Sequence, residues 1–283
     1  MRLGELTAVL LLLAAGATSA AAAGDARLAA VQVALQQRHL YRGTIDGVNG
    51  PATRSGVVAL QRRKGLVPDG VVGPKTLAAL GGRTSELGAR VLFRGASGLD
   101  VAALQFSLAW HGFPSGALDG VLGARTEFAI RRFQRWARLE PDGVVGPATV
   151  AALAQPVGVS PLRLEWPLVA PISDPFGPRG SRFHAGIDLA ANAGTTVAAA
   201  APGRVAWAAW RDGGWGDLVV IAHGGGVRTM YAHLSRIDVR VGEWVSAGAG
   251  VGRVGATGDA TGPHLHFEVR YRGAAIDPLG ALR

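Results

Sequence analysis

The sequence predicts a multidomain α+β protein, with two small all-α three-helix modules followed by an antiparallel all-β domain. Residues 31–80 and 104–153 align without a gap at a constant offset of 73, and about 22 of the 50 paired positions are identical. This self-similarity indicates an internal duplication. After Trp166, helical periodicity disappears and short β-rich runs alternate with glycines, a pattern typical of antiparallel sheets.

Each copy of the duplication predicts three short helices. The first helix is expected at Ala29–Leu40 in one copy and at Val101–Gly112 in the other. An Asp-Gly turn follows, and a Gly-Pro pair such as Gly50-Pro51 begins a later helix, because proline suits the first helical position. The second helix of each copy has side chains at helical spacing, namely Thr53, Val57 and Leu60 in one copy and Thr126, Ile130 and Phe133 in the other.

The C-terminal part contains five runs with the composition of strands. A triple glycine at positions 224–226 separates two of these runs and indicates a hairpin. The expected strands are Arg204–Ala208, Leu218–Ala222, Val227–His233, Trp244–Val245 and His264–Tyr271.

The chain begins with the features of an export signal. Met1-Arg2 is positively charged, Thr7–Ala15 is apolar, and Ala21-x-Ala23 suits signal cleavage. An uncleaved membrane anchor is the alternative, although the apolar run is too short to span a bilayer comfortably. Because the chain has no cysteine, an exported form has no disulfides and depends on its hydrophobic cores. The expected divisions are a signal peptide at residues 1–23, helical modules at 24–82 and 90–155, a linker at 156–165 and the β domain at 166–283.

The positive charge of the chain is unevenly distributed. Residues 27–157 contain 16 Arg and Lys against 8 Asp and Glu, a net charge of +8, whereas residues 158–283 contain 12 against 10, a net charge of +2. The helical half should therefore be attracted to polyanions more strongly than the β domain. Nucleic acid is one such polyanion, but the export signal and the lack of interleaved aromatic and basic residues argue against it.

Histidines and one aspartate are concentrated in three motifs of the β domain. Of the seven histidines, five lie between positions 184 and 266, and four of these belong to His184-Ala-Gly-Ile-Asp188, Thr229-Met-Tyr-Ala-His233 and Gly262-Pro-His-Leu-His-Phe-Glu268. Residues two apart on a strand point to the same face, so His264 and His266 should reach one spot. This concentration is hard to explain by packing alone.

The three motifs suggest a zinc site with nitrogen and oxygen ligands, since cysteine is absent. His184 and Asp188 lie on one side of an extended segment. Either His264 or His266 would complete the three protein ligands that are usual for catalytic zinc. The remaining histidine of that pair and His233 would then face a bound water, whose pKa zinc lowers to about 7.

Four further polar residues lie outside the proposed set of metal-binding and catalytic residues. Glu268 shares the strand face of the histidine pair, where it either orients an imidazole or is solvated or salt-bridged. His223, beside the triple glycine, is expected to be structural or solvated. His39 and His111 lie near the ends of the first helices and are expected on the surface.

The β domain resembles the lysostaphin-type (LytM-like) zinc metalloendopeptidases of bacterial cell walls over about residues 166–279. Besides the three histidine motifs, the matching runs are Phe176-Gly-Pro-Arg179, Gly203-Arg-Val205, Tyr231-Ala-His-Leu234 and Gly255-Ala-Thr-Gly258. The resemblance implies one zinc ion bound by His184, Asp188 and His266, with His264 and His233 as catalytic residues. Some relatives have lost ligands and act as regulators, whereas this chain has all five positions, which implies an active enzyme.

The duplicated module resembles the three-helix peptidoglycan-binding domain found beside many wall hydrolases. Its hallmark, Asp-Gly-x-x-Gly-x-x-Thr, occurs at Asp46–Thr53, Asp69–Thr76, Asp119–Thr126 and Asp142–Thr149. These residues are signals for a turn and a helix start, so a binding role is implied by the resemblance and by the basic charge.

The resulting hypothesis is a secreted, wall-associated zinc endopeptidase that hydrolyses peptide cross-links or stem peptides of peptidoglycan. His264 is expected to be the general base, and His233 to hydrogen-bond the developing oxyanion or assist proton transfer; the two roles could be exchanged. Peptidoglycan and anionic wall polymers are the expected partners, without nucleic acid and without stable membrane insertion after signal cleavage. The alternative is a non-catalytic wall-binding scaffold or an activator of another hydrolase, against which the complete ligand set argues.

Overall fold

A computed structural model describes residues 24–81, 86–156 and 158–283. The expected signal peptide, residues 1–23, lies outside the described residues. The described chain forms six α-helices followed by a largely antiparallel sheet, which confirms the predicted fold class. Within these ranges, the helices are too short or too polar to cross a lipid bilayer.

The first helix of each module begins two or three residues earlier than predicted. Asp25 accounts for this in the first module, because its carboxylate accepts hydrogen bonds from the backbone N–H groups of Arg27 and Leu28 and so caps the helix. The helices are α1 (Ala26–Gln37), α2 (Pro51–Arg63), α3 (Pro74–Ala79), α4 (Leu99–Trp110), α5 (Ala124–Trp136) and α6 (Pro147–Leu153).

A buried glutamine holds each Asp-Gly turn of the modules. Gln32 donates from Nε2 to Asp46 and Thr53, at 2.7 and 3.0 Å, and accepts from the backbone N–H of Gly47 at 2.8 Å. Gly47 has a φ of 71°, a conformation that favours glycine. The same contacts recur around Gln61, Gln105 and Gln134. The repeated motif therefore has a structural role, because the glutamine hydrogen bonds satisfy the polar groups of each turn.

The two modules share a hydrophobic core, in which α1 packs against α4. His39 is exposed at the end of the first helix, as predicted. The surface prediction for His111 is wrong, since this side chain is buried. Its Nδ1 and Nε2 atoms lie 2.8 and 3.1 Å from the backbone oxygens of Ser107 and Gln155. It therefore ties the end of α4 to the segment that follows α6.

The β domain contains twelve strands in the described part of the chain. They are β1 (Ile172–Asp174), β2 (Gly177–Arg179), β3 (Arg182–His184), β4 (Ile187–Ala190), β5 (Thr196–Ala198), β6 (Gly203–Arg211), β7 (Gly216–Ala222), β8 (Val227–Ile237), β9 (Trp244–Val245), β10 (Gly250–Val254), β11 (His264–Tyr271) and β12 (Ala274–Ile276). The main sheet runs β1-β4-β11-β8-β7-β6-β9, β10 pairs with β5 and β8, and β12 pairs with β11. The predicted hairpin at the triple glycine joins β7 to β8.

Strand β11 separates the core of the β domain from its polar face. Leu265, Phe267 and Val269 are fully buried in the hydrophobic core. Because alternate side chains of a strand point to opposite faces, the histidines and Glu268 lie on the other face. Within the predicted linker, Leu164 is also buried in this core, and its backbone bonds to Ala281 and Arg283.

Both modules contact the hairpin formed by β2 and β3. The backbone N–H groups of Ile45 and Leu118 each donate to the tip of this hairpin, to the oxygens of Gly180 and Ser181 at 2.8 Å. After α4, Gly112 approaches the backbone of Ala275 so closely that a Cβ atom would collide with it. The helical half is therefore docked on the β domain.

Candidate metal centre and active-site groove

Five predicted side chains converge on one end of the β domain. Antiparallel pairing of β4 with β11 sets His266 opposite Asp188, and pairing of β11 with β8 sets His266 opposite Ala232. His184 comes from the end of β3. His233, the residue after Ala232, has a φ of 60° where the β7–β8 register shifts, and such irregularities redirect a side chain.

His184, Asp188 and His266 form a group that could hold a metal ion, with one donor atom from each within 4.8 Å of the others. Asp188 Oδ1 lies 3.1 Å from His184 Nε2 and 2.8 Å from His266 Nδ1. The two imidazole nitrogens are 2.9 Å apart. All three residues are buried, and nitrogen and carboxylate donors of this kind suit zinc.

The remaining ring nitrogens show why the donor set fits a cation. His184 Nδ1 lies 2.9 Å from the backbone oxygen of Pro175, and His266 Nε2 lies 3.3 Å from Glu268 Oε1. With a cation bound, these two outer nitrogens would carry the ring protons, because a backbone oxygen and the Glu268 carboxylate are there to accept them. Two unprotonated nitrogens then face each other and the Asp188 carboxylate. Such an arrangement of acceptors needs a positive charge between them.

The electrostatics of the cluster favour that positive charge. Burial alone would lower the pKa of His266, but its hydrogen bonds to Asp188 and Glu268 outweigh burial and raise this pKa to about 9. For Asp188, burial acts in the opposite direction, yet hydrogen bonds from His184 and His266 hold its pKa well below the usual range. The cluster therefore binds a proton tightly, and a metal ion would replace that proton.

Arg179 and Glu268 contact members of the cluster without belonging to it. Arg179 donates to Asp188 Oδ2 at 3.0 Å, which leaves Oδ1 for the cluster. Glu268 is buried and receives a hydrogen bond of 2.7 Å from Arg270. Although burial opposes ionisation of Glu268, Arg270 and His266 lower its pKa to about 2. Glu268 thus combines two of the expected roles, orienting an imidazole and forming a salt bridge, and it is not solvated.

His233 and His264 lie beside the cluster with similar hydrogen bonds. Nδ1 of His233 is 2.8 Å from the backbone oxygen of Thr257, and Nδ1 of His264 is 2.9 Å from that of Gly262. Donation from both Nδ1 atoms leaves each Nε2 able to accept a proton. The ring centroids are 4.8 Å apart, and His264 Nε2 is 3.8 Å from Asp188 Oδ1. Burial lowers the pKa of His233, which keeps this ring neutral at neutral pH.

An open groove with a volume of about 640 Å³ runs over these side chains. Trp215 and Phe183 provide apolar walls, while Gly213 and Gly214 line the groove without side chains. The Trp215 ring lies 5.6 Å from that of His266. The groove can therefore take an extended chain with small side chains across both the cluster and the two free imidazoles.

Two groove residues, Arg179 and Trp215, have no role that the sequence alone predicts. Arg179 was part of a matching run, but its contact with Asp188 depends on the β2–β3 hairpin folding back on β4. Trp215 follows two glycines, and only the β6–β7 turn brings it to the groove. Glu268 was identified, and its position two residues after His266 was the signal. His223 is half-buried and structural as predicted, with hydrogen bonds of 2.8 Å to Pro202 and Thr229.

Two family models match the chain. Residues 182–278 match peptidase family M23, and residues 24–80 and 97–153 each match the putative peptidoglycan binding domain. The matches agree with the resemblances drawn from the histidine motifs and from the duplicated modules.

Individual relatives and solved structures resemble part of the chain. The DD-carboxypeptidase/endopeptidase Mpg of Neisseria meningitidis is 46% identical over 114 residues, which are 38% of this chain and 26% of that protein. The murein hydrolase activator NlpD of Escherichia coli is 35% identical over 114 residues, 40% of this chain and 30% of that protein. A crystal structure of a putative peptidase M23 from Pseudomonas aeruginosa has 40% sequence identity, covers 46% of this chain and 55% of the other, and has a TM-score of 0.39.

The matched segment thus spans about a quarter of the length of the Neisseria relative. Residues 182–278 are therefore similar to peptidase family M23, and the two helical modules before them are similar to the putative peptidoglycan binding domain.

Proposed function

We propose that this protein is an exported, zinc-dependent endopeptidase that hydrolyses peptide cross-links or stem peptides of bacterial peptidoglycan. The observation that carries the proposal is the pair of facing nitrogens of His184 and His266, 2.9 Å apart beside Asp188. Packing alone does not explain three buried acceptors aimed at one point. His184, Asp188 and His266 would hold the ion.

When bound, zinc would supply Lewis-acid chemistry, polarising the scissile carbonyl and lowering the pKa of water to about 7. His264 Nε2 accepts a proton from the attacking water, whose oxygen joins the carbonyl carbon. The C–N bond then breaks, and the same imidazole returns the proton to the departing amine. Alternatively, His233 Nε2 takes the proton of the attacking water in place of His264 and, once protonated, donates a hydrogen bond to the developing oxyanion before it passes the proton to the amine.

The two modules would hold the enzyme on its insoluble substrate. Tethering raises the effective concentration of the peptidase domain at the wall, and the net charge of +8 on residues 27–157 adds attraction to anionic wall polymers. Attraction between exposed charges weakens with salt, because the Debye length falls from about 10 Å at 0.1 M to about 3 Å at 1 M. Binding of the inactive His264→Ala protein to insoluble walls should therefore decrease as salt rises.

The similarity to a murein hydrolase activator supports a second candidate, in which the chain activates another hydrolase without cleaving peptides itself. Digestion of purified walls separates the two. Soluble fragments with new amino termini, released by the zinc-loaded protein and not by His264→Ala, would establish the peptidase. Release that requires a second hydrolase, with equal effects of the parent and His264→Ala proteins, would establish the activator.

A further inference from the structure

A second cavity, of about 380 Å³, lies between the second module and the β domain. Four arginines and two aromatic rings surround it: Arg132, Arg135 and Arg138, Arg272, Phe113 and Trp136. The first three arginines come from α5 and the turn after it, and Arg272 comes from the turn between β11 and β12. The cavity, called the arginine pocket below, is therefore built by both domains.

The arginine pocket concentrates positive charge, although the carboxylate of Glu268, which lies outside its lining, acts on Arg132. In the described chain, none of its lining residues is acidic, and none of its four arginines forms an ion pair with a carboxylate. Arg132 instead donates to the backbone oxygen of Gly273 at 3.1 Å and lies over the ring of Phe113. Burial and the charge of nearby Arg270 lower the pKa of Arg132, and the charge of Glu268 offsets this only in part. An anion in the cavity would relieve this repulsion.

Comparison of the two modules shows that the arginine pocket is a feature of the second one. Arg138 has a φ of 61°, and its counterpart at the offset of 73 is Gly65, with a φ of 64°. A side chain in this left-handed region costs conformational energy that glycine does not. Trp136 and Phe113 likewise replace Arg63 and Leu40. The second module therefore carries a strained arginine and two aromatic rings where the first does not.

We propose that the arginine pocket binds a phosphate group of an anionic, phosphodiester-linked wall polymer, an inference that rests on the proposed action at the wall. Guanidinium groups bind phosphate oxygens through paired hydrogen bonds, and several of them can surround a single phosphate. A concave cavity between two domains suits a flexible chain better than a flat bilayer surface.

The test measures binding of the full chain to soluble poly(glycerol phosphate) by isothermal titration calorimetry. Arg138→Gly and Arg135→Gln should each weaken binding at least tenfold. Arg138→Gly should also unfold at the same or a higher temperature than the parent, which excludes loss of folding as the cause. The matched control is Arg62→Gln, because Arg62 is the counterpart of Arg135 in the first module and should change affinity less than twofold.

Further probes distinguish the sources of phosphate. Inorganic phosphate should bind more weakly than the polymer, and polyglutamate of equal charge should not distinguish the parent from Arg138→Gly. Equal losses with Arg62→Gln, or unchanged binding in both pocket variants, would overturn the proposal. So would tight, Arg135-dependent binding of free phosphate or of phosphatidylglycerol vesicles in place of the polymer. Because the polymer contains no peptide, failure here leaves the proposed peptidase untouched, and a protein without peptidase activity could still show this binding.

Discussion

Nε2 of His266 lies 3.3 Å from Glu268 Oε1, and Nδ1 of the same ring lies 2.8 Å from Asp188 Oδ1. Both carboxylates are buried, so the ring lies between two negative charges on the polar face of β11. By accepting a hydrogen bond from Nε2, Glu268 would favour the tautomer in which Nδ1 is free to bind a metal. It would act on the proposed site through His266, since Glu268 does not belong to the group of three donor residues.

Replacing Glu268 with glutamine should weaken zinc binding by about 10–100-fold, the usual effect of removing a partner of a metal-bound histidine. Glutamine fills the same space but carries no charge, so it makes Nε2 a poorer donor and Nδ1 a weaker ligand. Competition with a chromogenic chelator measures the affinity. Glu243→Gln, an exposed change of the same charge, is the control. Equal affinity in the two variants would show that Glu268 does not support the site.

Alanine at His184, Asp188 or His266 should abolish both zinc binding and peptidase activity. A three-ligand site has no spare ligand, and each change leaves two facing acceptors without their third partner. Elemental analysis of the purified variants after dialysis measures the metal. Stoichiometric, tightly held zinc in His266→Ala would show that the ligand assignment is wrong.

Alanine at His264 or His233 should leave zinc binding intact and decrease turnover. Positioned acid–base groups contribute about 10²–10⁴-fold in rate, and neither ring belongs to the cluster of three. Single-turnover cleavage of a wall-derived peptide, measured with metal content, separates the two effects. Cleavage by either variant at nearly the parent rate would remove that histidine from the mechanism.

The cluster could be predicted from the sequence because its residues lie in short motifs. His264 and His266 are two apart on a strand, and His184 precedes Asp188 by four residues, so local geometry already groups them. Arg179 could not be predicted in its role, since a hairpin must fold back before it reaches Asp188. Trp215 depends in the same way on a turn between two strands.

The helical modules likewise combine features that the sequence predicts with features that it does not. Proline and Asp-Gly signals located the helices to within a few residues, because capping and turn chemistry are local. The glutamine hydrogen bonds to the Asp-Gly turns cannot be predicted from the sequence, because Gln32 is 14 residues from Asp46 and only the folded module brings them together. The sequence wrongly predicts His111 on the surface for the same reason, since the chain after α6 covers it. Contacts between distant segments leave no local signal in one sequence.

His223 should make the protein less stable as the pH falls below neutrality. Burial lowers its pKa below the ordinary value of 6.5, so its contribution to stability is complete above that value and is lost as the pH falls through the folded-state pKa. His223→Gln keeps a polar group but does not titrate. The decrease in melting temperature of the zinc-loaded protein between pH 7.5 and 5 should therefore be smaller in this variant. The exposed His39→Gln is the control, and an unchanged decrease in His223→Gln would contradict the prediction.

Trp110 links the second module to the strand that carries His184. Its ring packs edge-on against Phe183, with centroids 5.3 Å apart, and Phe183 immediately precedes His184. Phe176 belongs to the same aromatic group, and its ring centroid lies 6.3 Å from that of Trp110. Loss of the indole would expose this group and loosen the hairpin formed by β2 and β3.

Trp110→Ala should therefore destabilise the protein by about 2 kcal/mol, less than for a fully buried aromatic residue because the indole is partly exposed. It should also weaken zinc binding and speed hydrogen exchange in residues 177–184. Trp110→Phe should retain most of both properties, since it keeps an aromatic edge and removes an indole Nε1 that is buried without a hydrogen-bond partner among the described residues. Thermal unfolding, chelator competition and hydrogen exchange on the zinc-loaded full chain provide the measurements. If Trp110→Ala lowered the melting temperature while zinc affinity and exchange of the hairpin stayed at parent values, the module would stabilise the chain without supporting the site.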